Sequence, residues 1–310
     1  MKQRLNVFFA IGKFFIQYFT VSVTSLLETN KHMDLNIFLI HDFDSDLLLE
    51  ILAFTKKKYD VEIQLIYQDS KIFDSYRIAD HVSLNTYLRL LLADIIPKDI
   101  DNGLFLDSDT IITGPLTELA SFNFSTTTAS DDMGCKYLAA VREIPEQNES
   151  NSKRITELGF HTNSYFNAGV LLVNLKNWRT DNISAKLIEM ASSYMDDLVF
   201  WDQDVLNMFF LNKWDELDSK FNALNMIWKR KKPPLIIHFA GSSKPWNYLN
   251  RHPYKSFYFK YLLLTPYKNI KYTDFSYSKI PYKYYRDLRH FVNYYRQSCL
   301  GNINKKVYHD

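Results

Sequence analysis

Apolar blocks and polar breaks alternate from the N-terminus onward. Leu5 to Ile11 is apolar throughout, which predicts an inner strand covered on both faces. Tyr18 to Leu27 carries apolar residues at helical spacing and ends near Asn30. Leu35 to Ile40 is a second strand, closed by the polar run His41 to Asp46. Leu47 to Phe54 predicts a helix whose basic end, Lys56 to Lys58, complements the helix dipole. Val61 to Ile66 is a third strand. The alternation predicts an α/β fold with a mostly parallel sheet, helices on both sides and right-handed crossovers. Ligands in such sheets gather at the carboxyl ends of strands.

The next elements carry chemistry. Thr86 to Ile95 predicts a helix stopped before Pro97, with Arg89 inside the apolar run Tyr87 to Leu92. Taken alone, Arg89 fits a snorkelling surface residue or a cation aimed at a pyrophosphate. Ser121 to Ser130 and Pro145 to Ser152 have the polarity of surface segments, and between them Tyr137 to Val141 predicts a strand ending at Arg142 and Glu143. Asn167-Ala168-Gly169 opens another apolar strand, and small residues there let a ligand approach the backbone. Trp201 to Phe210 begins a helix for which, locally, Asp202 reads as the N-cap and Asp204 as a first-turn acid. Leu235 to His238 is a strand ending in an imidazole, which on its own reads as a hydrogen-bonded core residue. The loop Ala240 to Ser243 then leads to Lys244, a suitable cradle for phosphate.

The most informative break is Asp107-Ser108-Asp109. The apolar run Leu104 to Leu106 stops at two carboxylates and resumes as Thr110 to Ile112. Two acids one residue apart repel each other and call for a cation. Hard oxygen ligands suit Mg²⁺ or Mn²⁺, which keep open positions for substrate phosphates. By itself such a pair is more often a solvated turn, so a third ligand and a phosphate clamp must come from elsewhere in the chain.

Composition narrows the setting. The 310 residues are 46% hydrophobic and 23% charged, ample for a large core. Cys135 and Cys299 form no disulfide framework and no metal spacing, which fits a reducing compartment. Lys2 and Arg4 before an apolar run imitate a signal peptide, but Gly12 and Lys13 interrupt it, and a first core strand is the better reading. No run approaches the ~18 apolar residues of a membrane span. From Arg251 onward there are 12 Lys and Arg against 3 acids, a local charge of +9, so the first 250 residues carry −7 within the net +2. The same 60 residues hold 16 Tyr and Phe, and Tyr282 to Arg296 has the pattern of an amphipathic helix. Basic residues among aromatics suit a membrane interface, or a subdomain packed on the main fold; no nucleic acid is expected.

Four stretches together resemble the family 8 glycosyltransferases: Leu104-Phe105-Leu106-Asp107-Ser108-Asp109, Tyr165-Phe166-Asn167-Ala168-Gly169, Asp202-Gln203-Asp204-Val205-Leu206-Asn207, and His238-Phe239-Ala240-Gly241-Ser242-Ser243-Lys244-Pro245-Trp246. The resemblance spans essentially the whole chain and is greatest to the bacterial lipopolysaccharide glucosyl- and galactosyltransferases. It implies a GT-A domain over residues 1–250 and a basic, aromatic-rich helical extension over 251–310. It also implies a retaining enzyme that moves a hexose from a UDP-sugar to a glycan, glycolipid or glycoprotein acceptor at the cytoplasmic face of the inner membrane. Asp107, Asp109 and His238 would hold Mn²⁺ or Mg²⁺. Gly241 and Lys244 would hold the donor diphosphate, with Arg89 nearby. Ala10, Phe14 and Ser108 would line the donor site, and Asn167, Ala168 and Glu143 the sugar pocket, Glu143 standing where such enzymes have an Asp. Asp202 and Gln203 would lie beneath the sugar ring as the catalytic pair. The resemblance breaks after the first strand: Gly12 and Phe14 replace an Asp and an Asn that contact uracil and ribose. The same chemistry on a protein adhesin or cell-wall polymer, and an inactive relative acting as a binding module, are the alternative readings.

Overall fold

The computed structural model describes residues 2–289 apart from 77–83, 125–136, 212, 225–232, 271 and 286–287. Nine strands lie among them: β1 (Arg4–Ile11), β2 (Asp34–His41), β3 (Ile63–Tyr67), β4 (Gly103–Leu106), β5 (Thr110–Ile112), β6 (Leu138–Arg142), β7 (Phe166–Val173), β8 (Asp215–Glu216) and β9 (Ile236–His238). Seven form one sheet in the order β3-β2-β1-β4-β7-β6-β8. All neighbours are parallel except at β7, which runs antiparallel to β4 and β6. The expected mostly parallel α/β sheet is therefore present, with one reversed strand near its middle.

Successive side chains of a strand point to opposite faces, so the apolar runs feed two cores. Phe8, Phe38, Phe105 and Leu171 join one; Val7, Phe9, Leu39, Leu104 and Leu172 join the other. All eight residues of β7 are buried. Helices Ile16–Thr29 and Asp46–Tyr59 follow their strands as predicted. Ser45 caps the second, whose last turn contains Lys56, Lys57 and Lys58.

Two expectations are corrected. Leu84–Leu91 is a 3₁₀ helix, and only Leu92–Ile95 is α-helical. In a 3₁₀ turn residues three apart eclipse each other, which stacks Arg89 over Thr86. Pro145–Glu157, expected only as a surface segment, is a helix. Its interior is almost wholly polar, so periodicity gave no signal; Pro145 occupies its first turn, and Asn151, Ser152 and Ile155 are buried.

Strands β5 and β9 make a second, two-stranded sheet that pairs Thr110 with His238. That register carries the imidazole of residue 238 back to the two acids just before β5. Helix Lys255–Leu262 packs through Tyr258, Tyr261 and Leu262 against Val21 and Trp246, so the first part of the extension shares a core with the main fold. Residues 279–285 are helical. Most of the Tyr282–Arg296 segment, both cysteines and residues 125–130 lie outside the described residues. Among the described residues no helix is long and apolar enough to cross a membrane.

Candidate active site

A cleft of about 610 Å³ opens where β1, β4 and β6 end and β7 begins. Asp107, Asp109 and His238 meet on its wall, with one ligand atom of each lying within 4.8 Å of the others. His238 Nε2 is 3.3 Å from Asp109 and 3.8 Å from Asp107. One nitrogen and two carboxylates at this spacing fit Mn²⁺ or Mg²⁺. Gly169 is what lets the three converge. A Cβ there would lie 2.1 Å from the His238 ring and 2.8 Å from Asp107 Oδ2.

Two cations attend the acids. Arg89, 6% exposed, pairs with Asp107 at 2.8 Å and Asp202 at 2.7 Å and also donates to the carbonyl of Ala168. Burial alone would weaken its hold on the proton; Asp107 and Asp202 outweigh that and raise its pKa. Lys244 pairs with Asp109 and donates to the Phe239 carbonyl at 2.9 Å. Burial opposes ionisation of Asp109, yet Lys244 holds its carboxyl well below the usual range. Gly241, at φ 82°, turns the loop ahead of Lys244 in a conformation that favours glycine.

The opposite wall is the helix Trp201–Phe210. Its chain enters through Trp201 at φ 46°, a left-handed backbone costing ~1–2 kcal/mol. Asp202 is not the N-cap expected locally. The cap position is Phe200, and Asp204 Oδ2 accepts from the amides of Val199 and Phe200. Asp202 is thereby free to face Arg89 and accept from Thr86 at 2.7 Å. Burial pushes its pKa up to about 6 against the pull of Arg89. Gln203 Oε1 accepts from the amide of Ala168 at 2.9 Å, and its Nε2 donates to Tyr165. Asn207 accepts from the amide of Phe166 and donates to its carbonyl, fastening the start of β7 to the helix.

The small-residue wall is Asn167, Ala168 and Gly169. Asn167 donates to Glu143 at 2.9 Å. Burial raises the pKa of Glu143, with the Asn167 hydrogen bond opposing. Ala10 and Ser108 also line the cleft. Phe14 does not: it is 89% exposed, and Phe15 stands on the wall beside Gly12. The 3₁₀ turn Lys13–Phe15 turns successive side chains by about 120°, so adjacent phenylalanines cannot face the same way.

Residues 6–250 match the model of glycosyl transferase family 8. The chain belongs to that family. The lipopolysaccharide 1,2-glucosyltransferase of Escherichia coli is 27% identical over 290 residues, 87% of this chain and 81% of that one. The lipopolysaccharide 1,3-galactosyltransferase of Salmonella typhimurium is 29% identical over 271 residues, 82% of this chain and 77% of that one. In fold the chain is similar to the galactosyltransferase LgtC, solved with donor and acceptor sugar analogues. The TM-score is 0.72 at 22% identity, over 89% of this chain and 99% of that one. This glycosyltransferase thus has the GT-A architecture, and its family uses a nucleotide-sugar donor, a glycan acceptor and generally a divalent metal.

Sequence reasoning missed Thr86, Tyr165, Asn207 and Asn222 as parts of the site. Asn207 had a signal, since it falls one helical turn after Gln203. Asn222 had none: it lies in a polar stretch, and only the bridge between Ala223 and Ile237 brings it beside β9.

Proposed function

We propose that this glycosyltransferase moves glucose or galactose from a UDP-sugar to a hydroxyl of a bacterial cell-surface glycan of the lipopolysaccharide-core type, keeping the anomeric configuration. The observation that carries the reading is the meeting of Asp107, Asp109 and His238 in one cleft with Arg89, Lys244, Asp202 and Gln203. The names of the Escherichia coli and Salmonella relatives support the acceptor class.

A divalent cation held by Asp107, Asp109 and His238, in this reading Mn²⁺, would neutralise the diphosphate as the glycosidic bond breaks. The chain's own cations share that task. Lys244 pairs with Asp109; on donor binding it would exchange that carboxylate for a phosphate oxygen, with the Gly241 loop supplying amides. Arg89 would remain fixed by Asp202 and the Ala168 carbonyl, a pre-oriented positive charge. Asn167, Ala168 and Glu143 would bind the sugar hydroxyls.

Retention requires two inversions or same-face attack. The first needs a free carboxylate at the anomeric centre. Asp202 is held by Arg89 and Thr86, and Gln203 is an amide. Same-face attack fits these constraints better. A leaving phosphate oxygen takes the acceptor proton, while Gln203 and Asp202 steady the oxocarbenium-like centre. Ala10, Ile11, Gly12 and Phe15 give the base an apolar wall without a carboxylate. The basic, aromatic tail would hold the enzyme at the inner membrane surface.

The test is a screen of UDP-glucose and UDP-galactose with Mn²⁺ and lipopolysaccharide-core acceptors, following sugar release and product anomer by NMR. Metal-dependent release giving an α-linked product is expected. A UDP affinity by calorimetry unaffected by Mn²⁺, with no turnover on any donor, would instead indicate an inactive binding module.

A further inference from the structure

The metal-ligating imidazole is the end of a buried chain of amides. His238 Nδ1 lies 3.0 Å from Asn222 Oδ1. Asn222 Nδ2 lies 2.9 Å from Asn167 Oδ1, and Asn167 Nδ2 lies 2.9 Å from Glu143 Oε1. Asn222 is 2% exposed, Asn167 6% and His238 3%, so water does not replace these contacts.

The direction of every bond in this chain is fixed by one backbone group. The amide of Gly169 donates to Asn167 at 3.0 Å. A backbone N–H can only donate, so the Asn167 atom facing it is the oxygen. That oxygen must then receive from the nitrogen of Asn222, leaving the Asn222 oxygen toward His238. A carbonyl oxygen only accepts, so the imidazole proton sits on Nδ1. Nε2 is then the nitrogen that would offer its lone pair to a cation between Asp107 and Asp109. Flipping either amide would set donor against donor or acceptor against acceptor somewhere in the chain. At the far end the Asn167 nitrogen donates to the Glu143 carboxyl, which agrees with this polarity.

We propose that Asn222 is the positioning residue that selects the Nδ1–H tautomer of His238 and so prepares Nε2 as a metal ligand. The inference rests on the metal-site reading above. It adds that the affinity of the site is set from Gly169 through Asn167 and Asn222, none of which touches the cation. Partners of this kind fix ring orientation and ligand basicity at imidazole sites, and their loss costs about 10–100-fold in affinity.

The experiment uses ¹⁵N-histidine-labelled full-length protein, metal-free, at pH 8, with His238 assigned by comparison with His238→Gln. Long-range ¹H–¹⁵N correlations report the tautomer directly. Wild type is expected to show the Nδ1–H form, and Asn222→Leu to lose it. Asn222→Asp, which keeps an acceptor, should retain it. Calorimetric titration with Mn²⁺ should show a loss of about 10–100-fold for Asn222→Leu and a smaller loss for Asn222→Asp, which keeps the acceptor to the ring but has no donor for the Asn167 oxygen. Thermal unfolding of each variant separates this from loss of fold. An Nε2–H form in wild type, or a tautomer and Mn²⁺ affinity unmoved in Asn222→Leu, overturns the proposal. If wild type binds no Mn²⁺, the metal reading fails, while the metal-free spectra still decide the tautomer.

Discussion

At the scale of single residues, the site is governed by what is too small to get in the way and by which charge holds which. Gly169 has ordinary backbone angles, so its small size matters for the space it leaves. In Gly169→Ala the new methyl meets the His238 ring and Asp107 Oδ2 at once. The imidazole must move, because the methyl is fixed to β7. The expected result is a loss of at least about tenfold in Mn²⁺ affinity by calorimetry. Lys244 should behave oppositely toward metal and nucleotide. In the metal-site reading it would compete with the cation for Asp109, with which it pairs, and would be released to serve phosphate once the cation is bound. Lys244→Ala should therefore bind Mn²⁺ alone at least as tightly as wild type while binding UDP in the presence of Mn²⁺ more weakly. A parallel loss of both affinities in titrations would show that Lys244 is merely structural.

At the scale of elements, the site is a meeting of a 3₁₀ turn, a helix and a two-stranded sheet, and its electrostatics follow from their packing. The helix Trp201–Phe210 carries Asp202 into a buried position against Arg89. Its carboxyl titrates at about 6, against 3.8 in an open chain. The folded state thus holds this proton more tightly than the unfolded state. Between about pH 4 and 6 the unfolded chain carries fewer protons at this site, so stability falls as pH rises through the window. The full difference is on the order of 3 kcal/mol. In metal-free protein, denaturation at pH 4.5, 5.5 and 6.5 should show this fall for wild type and its absence in Asp202→Asn; parallel profiles would contradict it. The elements themselves were unevenly legible. Strands β1, β2, β4 and β7 announce themselves because their apolar runs are continuous, and the helices after β1 and β2 because their apolar faces are periodic. The Pro145–Glu157 helix is hidden, since its stability comes from tertiary contacts of a polar sequence, Arg154 to Asp204 among them. Asp107 and Asp109 were legible because they interrupt an apolar strand, whereas His238 read locally as a core residue and joined them only through the family resemblance. Asn222 was not, because its role arises from a bridge between segments that the sequence alone does not pair.

At the scale of the whole molecule, charge is divided along the chain. The last 60 residues carry +9 and the first 250 carry −7. The described part of the extension divides again. Residues of the Lys255–Leu262 helix are spent on the core beside Trp246. Beyond it, Tyr277 is 82% exposed, Tyr284 72% and Leu288 63%. Exposed aromatics beside Lys283 and Arg289 suit an interface between water and anionic lipid, where each basic residue contributes about 1 kcal/mol. Replacing Lys283, Arg286 and Arg289 together with Gln would then remove about 3 kcal/mol, close to a hundredfold in partitioning to phosphatidylglycerol vesicles at low salt. Raising salt shortens the Debye length and should weaken wild type toward the triple variant. Binding that survives high salt measures the aromatic share. Hydrolysis of a soluble nucleotide sugar should be the same in both proteins, because neither Lys283 nor Arg289 lines the cleft. Equal partitioning of wild type and variant at low salt would remove the membrane role and return the tail to a packing element of the fold.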